Sequence, residues 1–462
     1  MEPRGFGKVI MPELLTRQMD IIADRIFSPS SPGKGPGLMQ AAAQAAPIPV
    51  RLLLGILVIF YFPAFTIQLA MDATGRWVGS PLLQMITIGS ELFVFATILV
   101  SRHTRALISQ SWPVWVPVIA AFASALWSYN RVGTIQAANT YMTTALLGLI
   151  IVGQLPGFQS IRFVVRTMAV GCLLSILWVF LFPETAVHQL TDPYQTVHAG
   201  LWRGVFSHKQ GLGYFSGVTL GLLLYYRTSI FPAPVWAFFL ACSGACLVGT
   251  QSATGIIAAA IAPAFLSMAY FVARLPVPLR QPMFVKFAIA IGVLGAAFKL
   301  GILDYLIVGT LGKSTDLSGR AEFWPIILRN FYSSGYSLFG GGFGARIAAE
   351  MSEWSVDNGY VDKFLEFGYV FSPLIFGTFV AILWGGIRLV IANPAEQTRT
   401  NIFPFAIWSV TLILNITESN FMTKCLSTVL TSIAVGLVIQ QTQLISSISF
   451  SRKSPVEYRR VD

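Results

Sequence analysis

The chain has 462 residues, of which 55% are hydrophobic and 11% charged, with a formal net charge of +11. Soluble chains carry about 25% charged residues, so an aqueous fold is excluded and an all-α polytopic membrane protein is expected. No P-loop, dinucleotide-binding fingerprint or HExxH zinc motif is present. The chain is therefore expected neither to consume ATP itself nor to need a cofactor or metal, and no nucleic-acid partner is expected.

In chain order, the first element is a polar tail, residues 1–47, with five basic side chains and the run Ser28-Pro29-Ser30-Ser31-Pro32-Gly33-Lys34-Gly35-Pro36-Gly37. It does not resemble a cleavable signal peptide, and its composition predicts a disordered cytoplasmic segment. A spanning domain over 48–440 follows. Apolar runs near the roughly 20 residues that cross a bilayer lie near 50–70, 82–100, 112–128, 133–153, 163–183, 211–226, 234–250, 254–272, 284–303, 368–387, 401–416 and 421–440. These twelve spans put both termini on one side, with 441–462 as a second tail. When that side is the cytoplasm it holds 20 of the 31 basic residues, as the positive-inside rule favours. Cys172, Cys242, Cys246 and Cys425 fall in or at the ends of apolar spans without a zinc spacing, and read as packing residues. Glu91, inside the second span, must face protein or a water-filled cavity.

Two outside loops, 184–210 and 304–367, hold seven of the other 11 basic residues: Arg203 and Lys209, then Lys313, Arg320, Arg329, Arg346 and Lys363. Cations on the translocated side oppose the orientation signal. They are either solvated surface or a recognition surface for an anionic group, and their clustering favours recognition. The first loop also carries His188, His198 and the run Trp202-Arg203-Gly204-Val205-Phe206-Ser207-His208-Lys209-Gln210-Gly211-Leu212-Gly213. A helix beginning near Gly211 would attract an anion through its dipole and free amides; Trp202 alternatively anchors the interface. His188 and His198 have no partner motif and read as solvated loop residues.

In the second loop, Ser318-Gly319-Arg320 precedes Phe323, Trp324, Ile326, Ile327 and Leu328, which predicts an amphipathic surface segment with Arg320 at its polar start. Gly340-Gly341-Gly342-Phe343-Gly344 allows a close backbone approach, as a flexible turn or a substrate contact. Asp357-Asn358-Gly359-Tyr360 leads into a helix where Asp362 and Glu366 repel at i,i+4 unless Lys363 or an external cation intervenes. Asp357 suits either general-base work or capping of that helix. Glu418, between the last two spans, is expected to face water or pair with a loop arginine.

Five motifs, in order over about residues 50–440, resemble the O-antigen ligase/polymerase superfamily. They are Leu126-Trp127-Ser128 with Thr134, Trp202-Arg203-Gly204 through Gly213, Leu317-Ser318-Gly319-Arg320 with Trp324, Asn358-Gly359-Tyr360, and Thr417-Glu418-Ser419. The His-Lys-x-Gly-Leu-Gly run is most similar to exopolysaccharide polymerases of the ExoQ/Wzy type. The resemblance implies a GT-C-like bundle of about a dozen transmembrane helices with one large periplasmic loop, in the bacterial cytoplasmic (inner) membrane. It implies a metal-independent glycosyltransferase that moves an undecaprenyl-diphosphate-linked oligosaccharide onto a sugar hydroxyl. In a polymerase that hydroxyl belongs to another lipid-linked repeat, giving exopolysaccharide or O-antigen; in a ligase it belongs to the lipid A core. Membrane lipids and a chain-length regulator are the other partner classes implied.

Family arginines hold the diphosphate, and the matching positions are Arg203 and Arg320. The resemblance makes His208, Lys209, Trp324, Asn358, Tyr360 and Glu418 the expected substrate-binding residues. The family's histidine before Asn-Gly-Tyr is absent; Asp357 stands there and becomes the candidate base. Physical chemistry is compatible with this scheme, because a departing diphosphate gathers negative charge that guanidinium groups clamp bidentately. Preorganised charge of this kind is usually the largest catalytic contribution. A lipid-linked saccharide transporter is the alternative of another class. It should show repeated halves and ionisable groups at the bilayer midplane, whereas the polar residues here gather at the outer ends of the spans.

Overall fold

The computed structural model describes residues 48–61, 81–192, 198–299, 320–345, 356–392 and 397–453. The tail 1–47, residues 62–70 of the first expected span, Lys313, Ser318-Gly319, Arg346 and the side chain of Arg320 lie outside the described residues.

Among the described residues the secondary structure is helical, apart from one isolated antiparallel bridge between Val187 and Trp202. The main helices are α1 (Ile48–Tyr61), α2 (Pro81–Val100), α3 (Arg102–Gln110), α4 (Trp112–Ala123), α5 (Arg131–Gln154), α6 (Phe158–Leu181) and α7 (Lys209–Tyr226). They continue as α8 (Ala233–Thr250), α9 (Ala253–Arg274), α10 (Val277–Lys299), α11 (Arg320–Ser333), α12 (Gly359–Ala392), α13 (Phe403–Leu414) and α14 (Leu426–Lys453). Six of them, α5, α6, α8, α9, α12 and the Leu426–Ile445 part of α14, are long and apolar enough to cross a bilayer. A seventh crossing is counted if α2 and α3, bent by 99°, form one broken span. The chain is thus an all-α, multi-pass membrane protein. Large apolar side chains such as Phe180, Val248, Ile256, Ile289 and Val380 are exposed on the helices, as a lipid-facing surface requires.

Local chemistry sets the helix ends. The side chains of Ser101, Asn130 and Ser252 accept amide hydrogens from Thr104, Gly133 and Gly255 and so cap α3, α5 and α9. Proline sits in the first turn of α4, α8 and α13, where its missing N–H has no helical partner to lose. Gly213, Gly217 and Gly221 recur every four residues along α7 and face α9, where a Cβ at Gly217 would strike the Gly255 carbonyl. That small-residue stripe lets two backbones approach without lipid between them.

Helix direction gathers the connections at two ends of the bundle. Among the described residues, one end holds 127–130, 182–192, 198–208, 251–252, 356–358 and 415–425; the other holds 155–157, 227–232, 275–276 and 397–402.

The main irregularity is in α12. Gly368 leaves helical geometry (φ 60°, ψ −168°), so the backbone breaks between an outer half, residues 359–367, and a long apolar half. A break in a membrane-embedded helix exposes amides and carbonyls that water does not reach. The segment 336–344 supplies the partners. Gly341 and Gly342 donate to the carbonyls of Leu365 and Glu366 at 2.9 and 3.1 Å, while Tyr369 and Val370 donate to Ser337 and Leu338 at 3.0 Å. The glycine cluster is therefore a docked strap and not a flexible turn. Gly340 has φ +79°, and a Cβ there would collide with the Glu366 carbonyl.

The Trp127-Ser128…Thr134 motif clamps the strap from the other side. Trp127 Nε1 donates to the Phe339 carbonyl at 2.8 Å, Tyr129 N–H donates to the Gly341 carbonyl at 3.0 Å, and Ser128 Oγ lies 2.7 Å from Thr134 Oγ1. Phe343 N–H donates to Ser124 Oγ at 2.9 Å.

Gly340→Ala is expected to destabilise the protein by about 2 kcal/mol or more, through left-handed strain and the clash. Gly244→Ala, where an added Cβ meets nothing within 4 Å, should be neutral or slightly stabilising. Thermal unfolding of the two detergent-solubilised variants checks this; equal midpoints would remove the strap from the stability of the fold.

Candidate functional site

The first expected site loop is built around His188. Its ring is buried at 1% exposure, which corrects the expectation of a solvated loop histidine. Nε2 accepts the backbone N–H of Lys209 at 3.2 Å, which assigns the ring proton to Nδ1, and Nδ1 lies 3.2 Å from Asp192 Oδ2. The same carboxylate oxygen takes Arg203 Nη1 at 3.0 Å, while Arg203 Nε donates to the Thr185 carbonyl at 2.8 Å. Arg203 is thus buried and oriented by Asp192, and neither of these bonds uses Nη2. His208 caps α7, its Nδ1 accepting the Gln210 amide at 3.2 Å. The rings of His188, His198 and His208 meet edge-on, with centroids 5.1 to 5.7 Å apart.

The periodicity of α11 is explained by what it buries. Ile327 and Phe331 pack with Val356 and Leu365 into a small cluster separate from the main core, whereas Ile326 and Arg329 are exposed. Trp324 Nε1 donates to the Val356 carbonyl at 2.9 Å, which ties this helix to the residue before Asp357. Arg320 is the first residue of α11.

Asp357 has φ 41°, in the left-handed region that Asn and Asp tolerate better than most residues. It is not the cap of α12. That role belongs to Asn358, whose Oδ1 accepts the amides of Tyr360 and Val361 at 2.9 and 3.0 Å while Nδ2 donates to the Ile416 carbonyl at 3.0 Å. Tyr360 O–H donates to the Leu412 carbonyl at 2.8 Å. Asn358 and Tyr360 therefore fasten the start of α12 to the 412–420 segment through the protein's own backbone. Glu418 joins the same assembly: its carbonyl accepts the Gly359 N–H at 3.0 Å and its Oε1 accepts from Thr254 Oγ1 at 2.9 Å.

These contacts run as a belt around one end of the bundle. Trp202 N–H donates to the Gly249 carbonyl at 2.9 Å, the 249–254 turn reaches Glu418 through Thr254, and the 415–418 backbone meets Gly359. Arg203, His208, Lys209, Trp324, Asp357, Asn358, Tyr360 and Glu418 all lie on elements of this belt.

Beside it, Lys363 is almost fully buried, 2.5 Å from Glu366 Oε2, 3.2 Å from Asp362 Oδ2 and 4.9 Å from the Phe343 ring centroid. Glu366 Oε1 also accepts the Gly344 amide at 2.9 Å. Lys363 thus relieves the Asp362–Glu366 repulsion, and the trio pins the strap to the outer half of α12. The spacing anticipated Lys363 between the two carboxylates, whereas Asp192 and the docking of the strap onto the broken helix were not anticipated. Spacing shows charge and glycine, and tertiary contact decides what they meet.

Elsewhere, Glu91 accepts from Asn139 Nδ2 at 2.6 Å inside the bundle. Cys172, Cys242 and Cys246 are buried free thiols. An interior cavity of about 30 Å³ between α4, α5, α12, α13 and α14, lined by Tyr141, Trp408 and Ser432 among others, has room for about one water and includes none of the expected site residues. Among the described residues no group of three or more His, Cys, Asp or Glu side chains is arranged to hold a metal ion.

Burial, reinforced by the nearby Arg203 charge and opposed by Asp192, pushes the His188 imidazolium from its usual 6.5 down to about 4. The folded protein then resists a proton that the unfolded chain accepts. This contribution leaves stability intact above about pH 6.5 and erodes it as pH falls from 6.5 to 4. His188→Gln should flatten that part of a stability-against-pH curve measured by thermal unfolding; an unchanged slope would show that His188 titrates as an ordinary histidine. No protein-family model matches the chain, and no curated protein is significantly similar to it.

Proposed function

We propose that the chain is a polytopic inner-membrane glycosyltransferase that polymerises undecaprenyl-diphosphate-linked repeat units into exopolysaccharide or O-antigen at the periplasmic face. The observation that carries this reading is the belt. Residues far apart in sequence, drawn from four of the five motifs, are fastened together at one end of the bundle by bonds through Trp202, Thr254, Glu418, Asn358 and Trp324. The Ser128–Thr134 pair of the remaining motif braces the strap beside it.

The proposed topology is twelve crossings with both termini cytoplasmic. It is supported by Arg162, Arg166, Arg227, Arg274, Arg280 and Arg399, which gather at the end opposite the belt, as basic residues on a cytoplasmic face do.

In the proposed reaction the hydroxyl oxygen of an acceptor sugar attacks the anomeric carbon of the donor. The bond from that carbon to the lipid diphosphate breaks, the diphosphate leaves with the bonding pair, and the hydroxyl proton passes to the Asp357 carboxylate. Arg203 and Arg320 stabilise the charge on the leaving diphosphate. For Arg203, the bonds from Nε and Nη1 to Thr185 and Asp192 fix the guanidinium and leave Nη2 as the donor toward the anion. Lys209 and His208 assist from the start of α7. Asn358, Tyr360, Trp324 and Glu418 shape the site through the backbone they hold.

Arg203→Ala and Arg320→Ala are each expected to abolish polymer formation in cells while membrane insertion is retained. Normal polymer in both would sink the assignment. Asp357→Asn keeps a residue suited to φ 41° and removes only the charge, so it should lose most activity; a near-wild-type rate would demote Asp357 to a turn residue. Product analysis after deletion separates the acceptors. Accumulation of single lipid-linked repeats identifies a polymerase, whereas intact polymer not joined to lipid A identifies a ligase.

A further inference from the structure

The end of the bundle away from the belt carries a feature that the transfer reaction does not use. Between α1 and the start of α6 lies a groove of about 350 Å³ lined by Arg51, Leu155, Gln159, Arg162, Phe163 and Arg166. Its size falls in the range of small-molecule sites, roughly 300–1,000 Å³. Three of its six lining residues are arginines and none is acidic. Arg162 and Arg166 stand four residues apart on one helix, a spacing at which like charges repel, so the pair needs a reason to be there.

Both guanidiniums are held in place. Arg162 Nε donates to the Ser229 carbonyl at 3.1 Å, and its head lies 5.4 Å from the Phe158 ring centroid. Arg166 donates through Nε and Nη2 to the Ile230 carbonyl at 2.9 and 2.7 Å, and lies 5.3 Å from the Phe231 ring centroid. These partners orient the two heads without neutralising them, and both residues remain exposed. The helix face then changes character. Beyond Arg162 and Arg166, the same i,i+4 row continues as Val170, and Leu177 lies further along; both are exposed. On α1, Leu53 and Ile56 are exposed apolar residues close to Arg51. A cationic end that passes into an apolar face matches an amphiphile with an anionic head and hydrocarbon tails.

We propose that Arg51, Arg162 and Arg166 form a binding site for the phosphate headgroup of an anionic membrane lipid, with its chains along the exposed apolar faces of α1 and α6. Basic pockets between transmembrane helices on the cytoplasmic side recognise such headgroups. Planar guanidiniums are suited to phosphate oxygens. The proposal rests on this groove and on the proposed cytoplasmic placement of this end of the bundle, and does not depend on the transfer reaction.

The test is thermal unfolding of the full chain in a zwitterionic detergent, titrated with cardiolipin, phosphatidylcholine or inorganic phosphate. Wild type should be stabilised saturably by cardiolipin and not by phosphatidylcholine. R162Q/R166Q should weaken the apparent cardiolipin affinity roughly thirtyfold, the effect of removing two surface cations. R102Q, a basic residue outside the groove, should behave as wild type. Because both arginines also brace the 227–232 turn, R162K/R166K is measured alongside, and it should keep most of the response because it keeps the charge. An equal cardiolipin response in wild type and R162Q/R166Q would overturn the site. Stabilisation by inorganic phosphate, with nothing added by cardiolipin, would overturn the lipid assignment in favour of a free anion. Loss of the response in both double variants would overturn the role of charge and leave the turn as its cause.

Discussion

A helix that breaks inside a membrane must find replacement partners for its backbone, and that requirement organises this molecule. At Gly368 the α12 ladder stops, and the carbonyls of Leu365 and Glu366 and the amides of Tyr369 and Val370 need bonds from elsewhere. The strap 336–344 answers all four. Its own path demands glycine, because it runs against Glu366 on one side and Ser128 on the other. Trp127, Ser128 and Ser124 then hold the strap by its carbonyls and amides, and the buried Lys363–Glu366 pair closes it from beneath. Removing one member of such a buried pair is far more costly than its net contribution suggests, because the remaining charge loses its partner.

The belt around the candidate site follows from the same rule. Its loops lie at one end of an apolar bundle, and their polar groups are satisfied mainly by each other. Asn358 alone meets three backbone groups on two segments. Asp192 serves His188 and Arg203 at once, which makes the position of the arginine depend on a histidine that is distant from it in role. The loop therefore behaves as a packed structure despite its polar sequence.

Much of this was legible in the sequence. The apolar runs near 133–153, 163–183, 234–250, 254–272, 368–387 and 421–440 each coincide with a helix long enough to span, because hydropathy over 20 residues is a signal that tertiary context seldom overturns. The part of Lys363 between two carboxylates followed from helical spacing. What spacing could not reveal was partnership across long separations. His188 looks like a solvated loop residue until Lys209 N–H is found against its Nε2. Asp357 reads as a candidate cap until the backbone puts it at positive φ and Asn358 Oδ1 is found on the amides of Tyr360 and Val361. The glycine cluster reads as a turn until the broken helix is seen to need it. One readable signal went unread: Gly213, Gly217 and Gly221 repeat at the interval that brings two membrane helices into backbone contact.

The exchange of bonds at Gly368 has a kinetic side. Amides within an unbroken helix can fray singly from the ends, each with its own protection against solvent hydrogen. Gly341, Gly342, Tyr369 and Val370 are cross-bonded between two chain segments, so peeling the strap away releases all four together. The break thus turns a local weak point into a single cooperative opening unit. The outer half of α12, with Asn358 and Tyr360 at its head, can be freed from the spanning half only at the full cost of that unit.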